Sequence, residues 1–486
     1  MVFRWSLRVV AMVCLAGALA APPVRAQQTA QDREAVSSFD SAFFEAFNPQ
    51  TALDLVNRVP GFTLDAGGEK RGLAGDLGNV LIDGRRPSSK AGVQRLLQRL
   101  PAANVERVEL IREALPGVDM AGQDQLVNVV TRRGAGWTGA WRSRVQFYES
   151  GRATPDGEVS GTRTARDSTL TLSFDAENSA AGRDIVRDVR DGTLAPVRTE
   201  TERAQDNFID IAGALAYQRN FDAGHALRVD ARAWRWWWRQ SRFNIVSAPD
   251  GAVLRSEPGR IESEGAGAEI SVDYDHVFSR IWSGQFTALQ RIEPGRSDQL
   301  FERVSPSGAF LGAVRVDDED TAGETILRAE LRRSPDERRS LTLIAEAAYN
   351  VLDGSLELFD VGPGGETPIP LPVSDARVEE HRIDLAALRV WRPVDAWTFE
   401  ARLGGEFSRI SQTGDAEQER EFAYFKPAAS ATWAPNERDR IRFALDREVA
   451  QLSFPDFISA VDISDDLTDI GNPDLEPERT WSLEAQ

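Results

Sequence analysis

From residue 134 onward the chain reads as a succession of strands with one apolar and one polar side. Ala268, Ile270, Val272 and Tyr274 alternate with Glu269, Ser271, Asp273 and Asp275. Trp397, Phe399, Ala401, Leu403 and Phe407 alternate with Thr398, Glu400, Arg402 and Glu406. Leu327, Ala329 and Leu331 oppose Arg328, Glu330 and Arg332, and Leu341, Leu343, Ala345, Ala347 and Tyr349 face away from Thr342, Glu346 and Asn350. A period of two needs an apolar environment on one face and water on the other.

A soluble β-rich module alternates in the same way, but three features favour a transmembrane barrel. The strands run about ten residues or more, the length a tilted strand needs to cross a bilayer, against a mode of about five or six in soluble sheets. Short turns recur at Asn220, Val277, Pro335, Pro393 and Pro435, at intervals of 57, 58, 58 and 42 residues. Each interval has room for a strand up, a longer polar loop and a strand down, the outer-membrane pattern. Eleven of the 12 tryptophans lie in this region. Trp282, Trp391, Trp397 and Trp433 sit at the short turns, where an aromatic girdle belongs. Trp234, Trp236, Trp237 and Trp238 stand one membrane height above. No run of 18 apolar residues follows the N-terminus, and mean hydropathy is −0.36, so a bundle of membrane helices is excluded.

The N-terminus reads as an export leader: Arg4 and Arg8, an apolar stretch at 9–20, then Val24-Arg25-Ala26, with cleavage expected before Gln27. The lone cysteine, Cys14, lies inside it, leaving the mature chain without thiol chemistry. Three scattered histidines give no metal centre, and no cofactor is expected.

Residues 39–133 differ from the rest. They hold 12 acidic and 12 basic side chains, so the net charge of −19 falls almost wholly on residues 134–486 and disfavours nucleic acid as a partner. The pattern predicts a short helix over 51–59 entered through Asn48-Pro49, a strand at 79–82 running into the Asp83-Gly84 turn, a helix over 89–100, and strands at 105–111 and 126–131. A closed barrel leaves no unpaired edge in lipid. Its wet face lines a lumen, and a neutral domain of this size placed ahead of the strands suits the filling of it.

Here the residues resemble a TonB-dependent outer-membrane receptor. "NPQTALDLVNRVPGF" (48–62), "NVLIDGRRP" (79–87), "VERVELIR" (105–112) and "LVNVVTRR" (126–133) fall in the order and spacing of that family's plug, and "GNPDLEPERTWSLEAQ" (471–486) is similar to its late-barrel motif. Glu113-Ala114-Leu115-Pro116 stands where the family has Pro and a Gly-rich turn, marking a divergent subfamily. The resemblance implies a mainly β fold, a small α/β plug in the lumen of a 22-stranded barrel. It implies import of a scarce nutrient (ferric siderophore, cobalamin or saccharide), energised through TonB and its inner-membrane complex, in the outer membrane of a Gram-negative bacterium among lipid and lipopolysaccharide. The expected organisation is a signal peptide at 1–26, a periplasmic tail at 27–38, the plug at 39–133 and the barrel at 134–486. About 14 strands fit after residue 134, so the sequence is expected to be C-terminally truncated. In the tail, 35–38 is a weak TonB-box candidate.

Arg85, Arg86 and Lys90 follow the Asp83-Gly84 turn, near the plug apex in the resembled fold. They are candidates for an anionic ligand, or for salt bridges to the acidic wall. Trp234, Trp236 and Trp238 share the wet face with Arg228, Asp230 and Arg232 and are candidates for stacking on a ligand, or for a girdle. Arg107, Glu109 and Arg112 are candidate plug–barrel latches, or a solvated strand face. No nucleophile–base set or carboxylate pair is legible, so no enzyme is expected. The competing readings are a soluble or surface β-rich binding module, a TonB-linked signal transducer without transport, which would need a further folded domain ahead of the plug, and an open porin, which a plug contradicts.

Overall fold

The computed structural model describes residues 36–486 except 68–70, 74–77, 91, 114, 116–117, 119, 121–122, 133–134, 149–150, 222–223, 437–438, 463–466, 470 and 473. The leader and the start of the tail lie outside the described residues.

The N-terminal unit comprises β1 (Val36–Asp40), α1 (Ser41–Phe44), α2 (Ala52–Val56), β2 (Val80–Ile82), α3 (Val93–Arg99), β3 (Val105–Ile111) and β4 (Leu126–Thr131). Its sheet has the order β1-β3-β4-β2, with β2 parallel to β4 and the other pairs antiparallel. β3 and β4 fall at their predicted positions, and Val108, Leu110, Val127 and Val129 close on Phe44, Val56 and Leu97 to form the core. β1 departs from expectation. Residues 36–38, read as tail, pair with β3 from Val36↔Ile111 onward. Helix α2 also begins later than Asn48-Pro49 suggests. Asn48 adopts φ 48° outside it. Thr51 is the N-cap, its backbone N–H donating to Asp54 Oδ2 at 2.9 Å and its hydroxyl accepting from Asp54 N, a capping box stronger than the Asn-Pro signal. Asp83 and Gly84 both take positive φ, 51° and 81°, as a tight turn requires. Asp83 fastens the turn to β4 by accepting from Thr131 N and Oγ1 at 2.8 Å each.

The wall begins with β5 (Gly136–Phe147), β6 (Ala153–Thr164), β7 (Ser168–Arg190), β8 (Pro196–Asn220), β9 (Ala226–Ser247), β10 (Val253–Val277) and β11 (Trp282–Val304). It continues with β12 (Phe310–Asp336), β13 (Arg339–Gly362), the short β14 (Gly365–Ile369), β15 (Asp375–Val394), β16 (Trp397–Gly414), β17 (Gln418–Trp433) and β18 (Ile441–Val449). A small hairpin, β19 (Ala460–Asp462) and β20 (Leu467–Asp469), precedes β21 (Arg479–Ala485). Consecutive wall strands pair antiparallel in one path from β5 to β21, with β14 beside β13. Pro435 lies in a break between strands, and at Asn220, Val277, Pro335 and Pro393 the break begins one or two residues further on.

One expectation needs correction. The polar middle of each interval is strand, not loop. β7 to β13 run 22–27 residues and close in tight turns at 191–195, 248–252 and 305–309. Cross-strand ion pairs such as Arg235–Glu264 (3.0 Å) and Arg203–Asp184 (3.1 Å) continue the ladder where neither face is apolar.

Burial is inverted relative to a water-soluble domain. On β10, Glu269, Ser271, Asp273 and Asp275 are buried while Ile270 and Tyr274 are exposed. Thr342, Glu346 and Asn350 are buried on β13, whereas Leu327, Leu343, Ile383, Leu385, Leu403 and Phe407 form an exposed apolar belt on β12 to β16. Exposed apolar surface of this extent marks contact with another apolar phase. The polar face contacts the plug. Arg99 reaches Asp175 on β7, Ser89 reaches Glu269 on β10, Lys90 reaches Glu324 on β12, Arg71 reaches Glu380 on β15, and Asp124 is reached by Arg442 on β18. The wall therefore curves around the plug.

Candidate functional site

Above the plug lies a cavity of about 1020 Å³. The plug contributes Arg71, Lys90 and Arg95 to its floor; the wall contributes Phe208, Trp234, Trp236 and acidic groups including Glu269, Asp320 and Glu324; the 450–478 segment contributes Gln451 and Phe454. That segment folds inward, packing Leu452, Phe454 and Phe457 against Leu352, Val378 and Ile410. Gly471 permits this, since a Cβ there would collide with the Phe457 carbonyl.

The tryptophan shelf is built by sequence on two neighbouring strands. Trp234 and Trp236 pair across the ladder with Gly267 and Gly265 on β10. A Cβ at either glycine would collide with the indole, so the rings lie over bare backbone. Phe208 on β8 stacks on Trp236 with centroids 6.5 Å apart. Trp238 is half-buried on the same face, beyond the lining of this cavity. Arg232 lies 4.8 Å from the Trp234 ring.

The basic candidates share a smaller space of about 200 Å³ between plug and wall, and of the three Lys90 also reaches the large cavity. Lys90 borders the large cavity and pairs with Glu324 at 2.7 Å. Arg85 pairs with Asp275, and Arg86 donates to the Gly78 carbonyl, both lower down between plug and wall. Burial, reinforced by Arg228, lowers the Arg85 guanidinium to about 10. Of the latch candidates, Arg107 and Glu109 pair with each other at 2.8 Å inside the plug, Glu109 also accepting from Asn128. Arg112 donates to Ser37 Oγ at 2.5 Å, and its carbonyl accepts from Arg440 of the wall at 2.8 Å.

The principal fastening is one that sequence reasoning missed. The tip Arg71-Gly72-Leu73 is read by wall side chains through its backbone. Gly72 N donates to Glu324 Oε1 at 2.5 Å and Leu73 N to Glu346 Oε1 at 3.1 Å, and the Arg71 carbonyl accepts from Arg382 (3.0 Å) and Gln451 (2.6 Å). Arg71 Nε donates to Glu380 at 3.1 Å, and the guanidinium covers the Phe454 ring at 3.9 Å. Gly72 has φ +82° and no room for a Cβ between Arg382 and Glu346. Glu346 also receives Arg328 (3.0 Å) and Arg382 (3.3 Å), while Arg382 donates to Asp384 (2.8 Å). Each of these buried charges has an opposite charge beside it, the condition for tolerating it away from water, although Arg71 Nη2 and Arg382 Nη1 find no acceptor among the described residues. A lower set, Arg392–Glu113 (2.5 Å) and Arg442–Asp124 (2.6 Å), ties the plug near the short turns. The legible signal was Glu346 and Arg382 standing among Ala and Leu on the wet face.

Residues 29–127 match the family model of the TonB-dependent Receptor Plug Domain. No curated protein matches the chain. Among solved structures it is similar to the siderophore receptor PiuA from Acinetobacter baumannii (11% identity, 95% of this chain and 72% of that one, TM-score 0.43). It is similar also to the ferric preacinetobactin receptor BauA from Acinetobacter baumannii (12%, 93% and 67%, 0.42). A third is the hemophore receptor HasR from Serratia marcescens, solved as a double mutant with its hemophore HasA and heme (11%, 93% and 68%, 0.44). Residues 29–127 thus match the plug domain of TonB-dependent receptors, and the antiparallel wall that follows curves around them.

Proposed function

We propose that the protein is an outer-membrane importer that takes a nutrient too large or scarce for passive diffusion and admits it when TonB, driven from the inner membrane, displaces the plug. The observation that carries this reading is the large cavity floored by plug residues and walled by the tryptophan shelf, with the Arg71–Leu73 fastening directly beneath. A ligand resting there touches Arg71 and Lys90, which are themselves part of what holds the plug. The aromatic shelf suits a ligand with a flat or sugar-like face, and the floor suits one with acidic groups. Residues 1–26 serve as export leader, and the exposed apolar belt sits in the outer membrane. The chemistry is binding and gating rather than catalysis.

The test is uptake of candidate ligands by cells expressing the complete gene product. Accumulation should collapse when the proton gradient is dissipated or TonB is deleted. Uptake that persists under both conditions removes the energised importer, and ligand-induced transcription without accumulation identifies a transducer instead.

A further inference from the structure

Below the large cavity, between plug and wall, lies a second space of about 150 Å³. It starts at Arg232, which borders both spaces, and runs down to Thr164 and Thr169, beside the short turn joining β6 to β7. Six arginines line it, Arg85, Arg86, Arg99 and Arg132 from the plug and Arg228 and Arg232 from β9, against two carboxylates, Asp230 and Asp273. The chain as a whole has 76 acidic and 57 basic side chains, so the local balance is reversed. The reversal follows from placement. Arg95 and Arg99 stand one turn apart on α3, facing the inward row Arg228, Asp230, Arg232 of β9.

The carboxylates nearby leave part of this charge unmet. Asp273 accepts from Ser88 Oγ and Thr287 Oγ1 at 2.5 Å each, and Asp275 is taken by Arg85. Arg99 meets Asp175 only at 3.6 Å and Arg232 meets Asp210 only at 3.9 Å. Arg228 makes neither a hydrogen bond nor an ion pair among the described residues, and feels Asp83, Asp273 and Asp230 from farther off. The Nε atoms of Arg228 and Arg232 and an Nη of Arg99 are covered from solvent with no hydrogen-bond acceptor among the described residues. Buried guanidinium donors without acceptors are costly, and an oxyanion accepting from two of them removes that cost through charge-assisted bonds.

We propose that this cleft is an oxyanion subsite, which takes a carboxylate or phosphate group between Arg99 of the plug and Arg228 and Arg232 of the wall. It extends the importer reading by naming an acidic ligand group and the side of the plug along which it is held. Two sources share this chemistry, an acidic group carried on the imported ligand and free inorganic phosphate.

The test is calorimetric titration of the full chain in detergent with inorganic phosphate and, separately, with citrate, at constant ionic strength. Saturable binding is expected, weakened tenfold or more by Arg228→Gln and by Arg99→Gln, retained by Arg228→Lys, and unchanged by Arg409→Gln on the outer face. Binding of citrate alone assigns the site to ligand carboxylates, and binding of phosphate alone assigns it to the free ion. Heat-modifiable gel mobility verifies folding, and Arg99→Gln reads the same site if Arg228→Gln does not fold. Absence of binding by either anion, or equal affinity in both Gln variants, overturns the subsite. Proton-gradient-dependent uptake alongside that result leaves the importer standing. Anion binding without energised uptake removes the importer and leaves the subsite.

Discussion

At the scale of single residues the lumen is a place where charge is stable only in company. Glu346 accepts from Arg328, Arg382 and the plug backbone while almost fully buried. Glu346→Ala leaves Arg328 with Glu330 and Arg382 with Asp384 and removes the acceptor of Leu73 N, so it should destabilise the protein by about 3 kcal/mol, the low end for breaking a buried pair. The denaturant midpoint in detergent reads this, and a midpoint equal to wild type would show that water replaces the carboxylate. At the far rim the logic is different. Asp415 accepts from Asp375 N (3.0 Å) and from Ser374 N (2.9 Å) and Oγ (3.0 Å), which together hold its carboxyl below the usual range. A depressed folded value contributes stability above the unfolded pKa of roughly 3.9, and that stability is lost as pH falls through the folded value. Amide exchange at Ser374 and Asp375 should therefore speed up on acidification below about pH 4, and Asp415→Asn should flatten the response. Exchange that stays pH-independent in the wild type, after correction for intrinsic rates, would contradict it.

At the scale of elements, the wall strands were legible because two environments impose a period of two on every turn of the chain. Ile270 and Leu403 could be assigned outward, and Glu269 and Glu406 inward, from the residue types alone. Leu403→Arg, on the lipid side, should cost roughly 2–4 kcal/mol of folding stability in a bilayer, measured by urea titration in vesicles. Arg402→Leu, its inward neighbour, should leave membrane insertion unchanged. A null effect of Leu403→Arg would place that face in water. β1 and the Arg71–Leu73 tip were not legible. An edge strand of five residues carries too little periodicity. A fastening made by backbone N–H groups leaves no mark in side-chain pattern beyond a glycine. The tryptophan shelf was half-legible: alternation placed Trp234, Trp236 and Trp238 on one face, but only Gly265 and Gly267 across the ladder explain why the first two lie flat enough to line a cavity. Arg107 and Glu109, expected as latches, find their partners within the plug, Arg107 pairing with both Glu106 and Glu109.

At the scale of the whole molecule, plug and wall are held mainly by polar contacts, around Arg71, around Arg392 and Arg442, and along β7 and β10, with Leu73 and Val390 adding small apolar contacts. The polar contacts exchange readily with water once opened, unlike an apolar seal. Ser88 Oγ lies 3.2 Å from Ser271 Oγ across the boundary. Since Cys14 is the chain's lone cysteine, the pair Ser88→Cys with Ser271→Cys offers a reversible bolt. Oxidation should abolish uptake and reduction restore it, and undiminished uptake in the oxidised state would mean that the plug stays in place during transport. The reach of the strands has a further consequence. β12 extends 27 residues, roughly 90 Å along its axis at about 3.4 Å per residue, where an apolar belt about 25 Å tall suffices. In the proposed outer-membrane setting, even strongly tilted hairpins of this length rise as a stiff chimney past the lipid headgroups. A solute arriving from outside is thus sampled by a rim of paired charges well before it nears hydrocarbon, and antibodies or phage would meet that rim first.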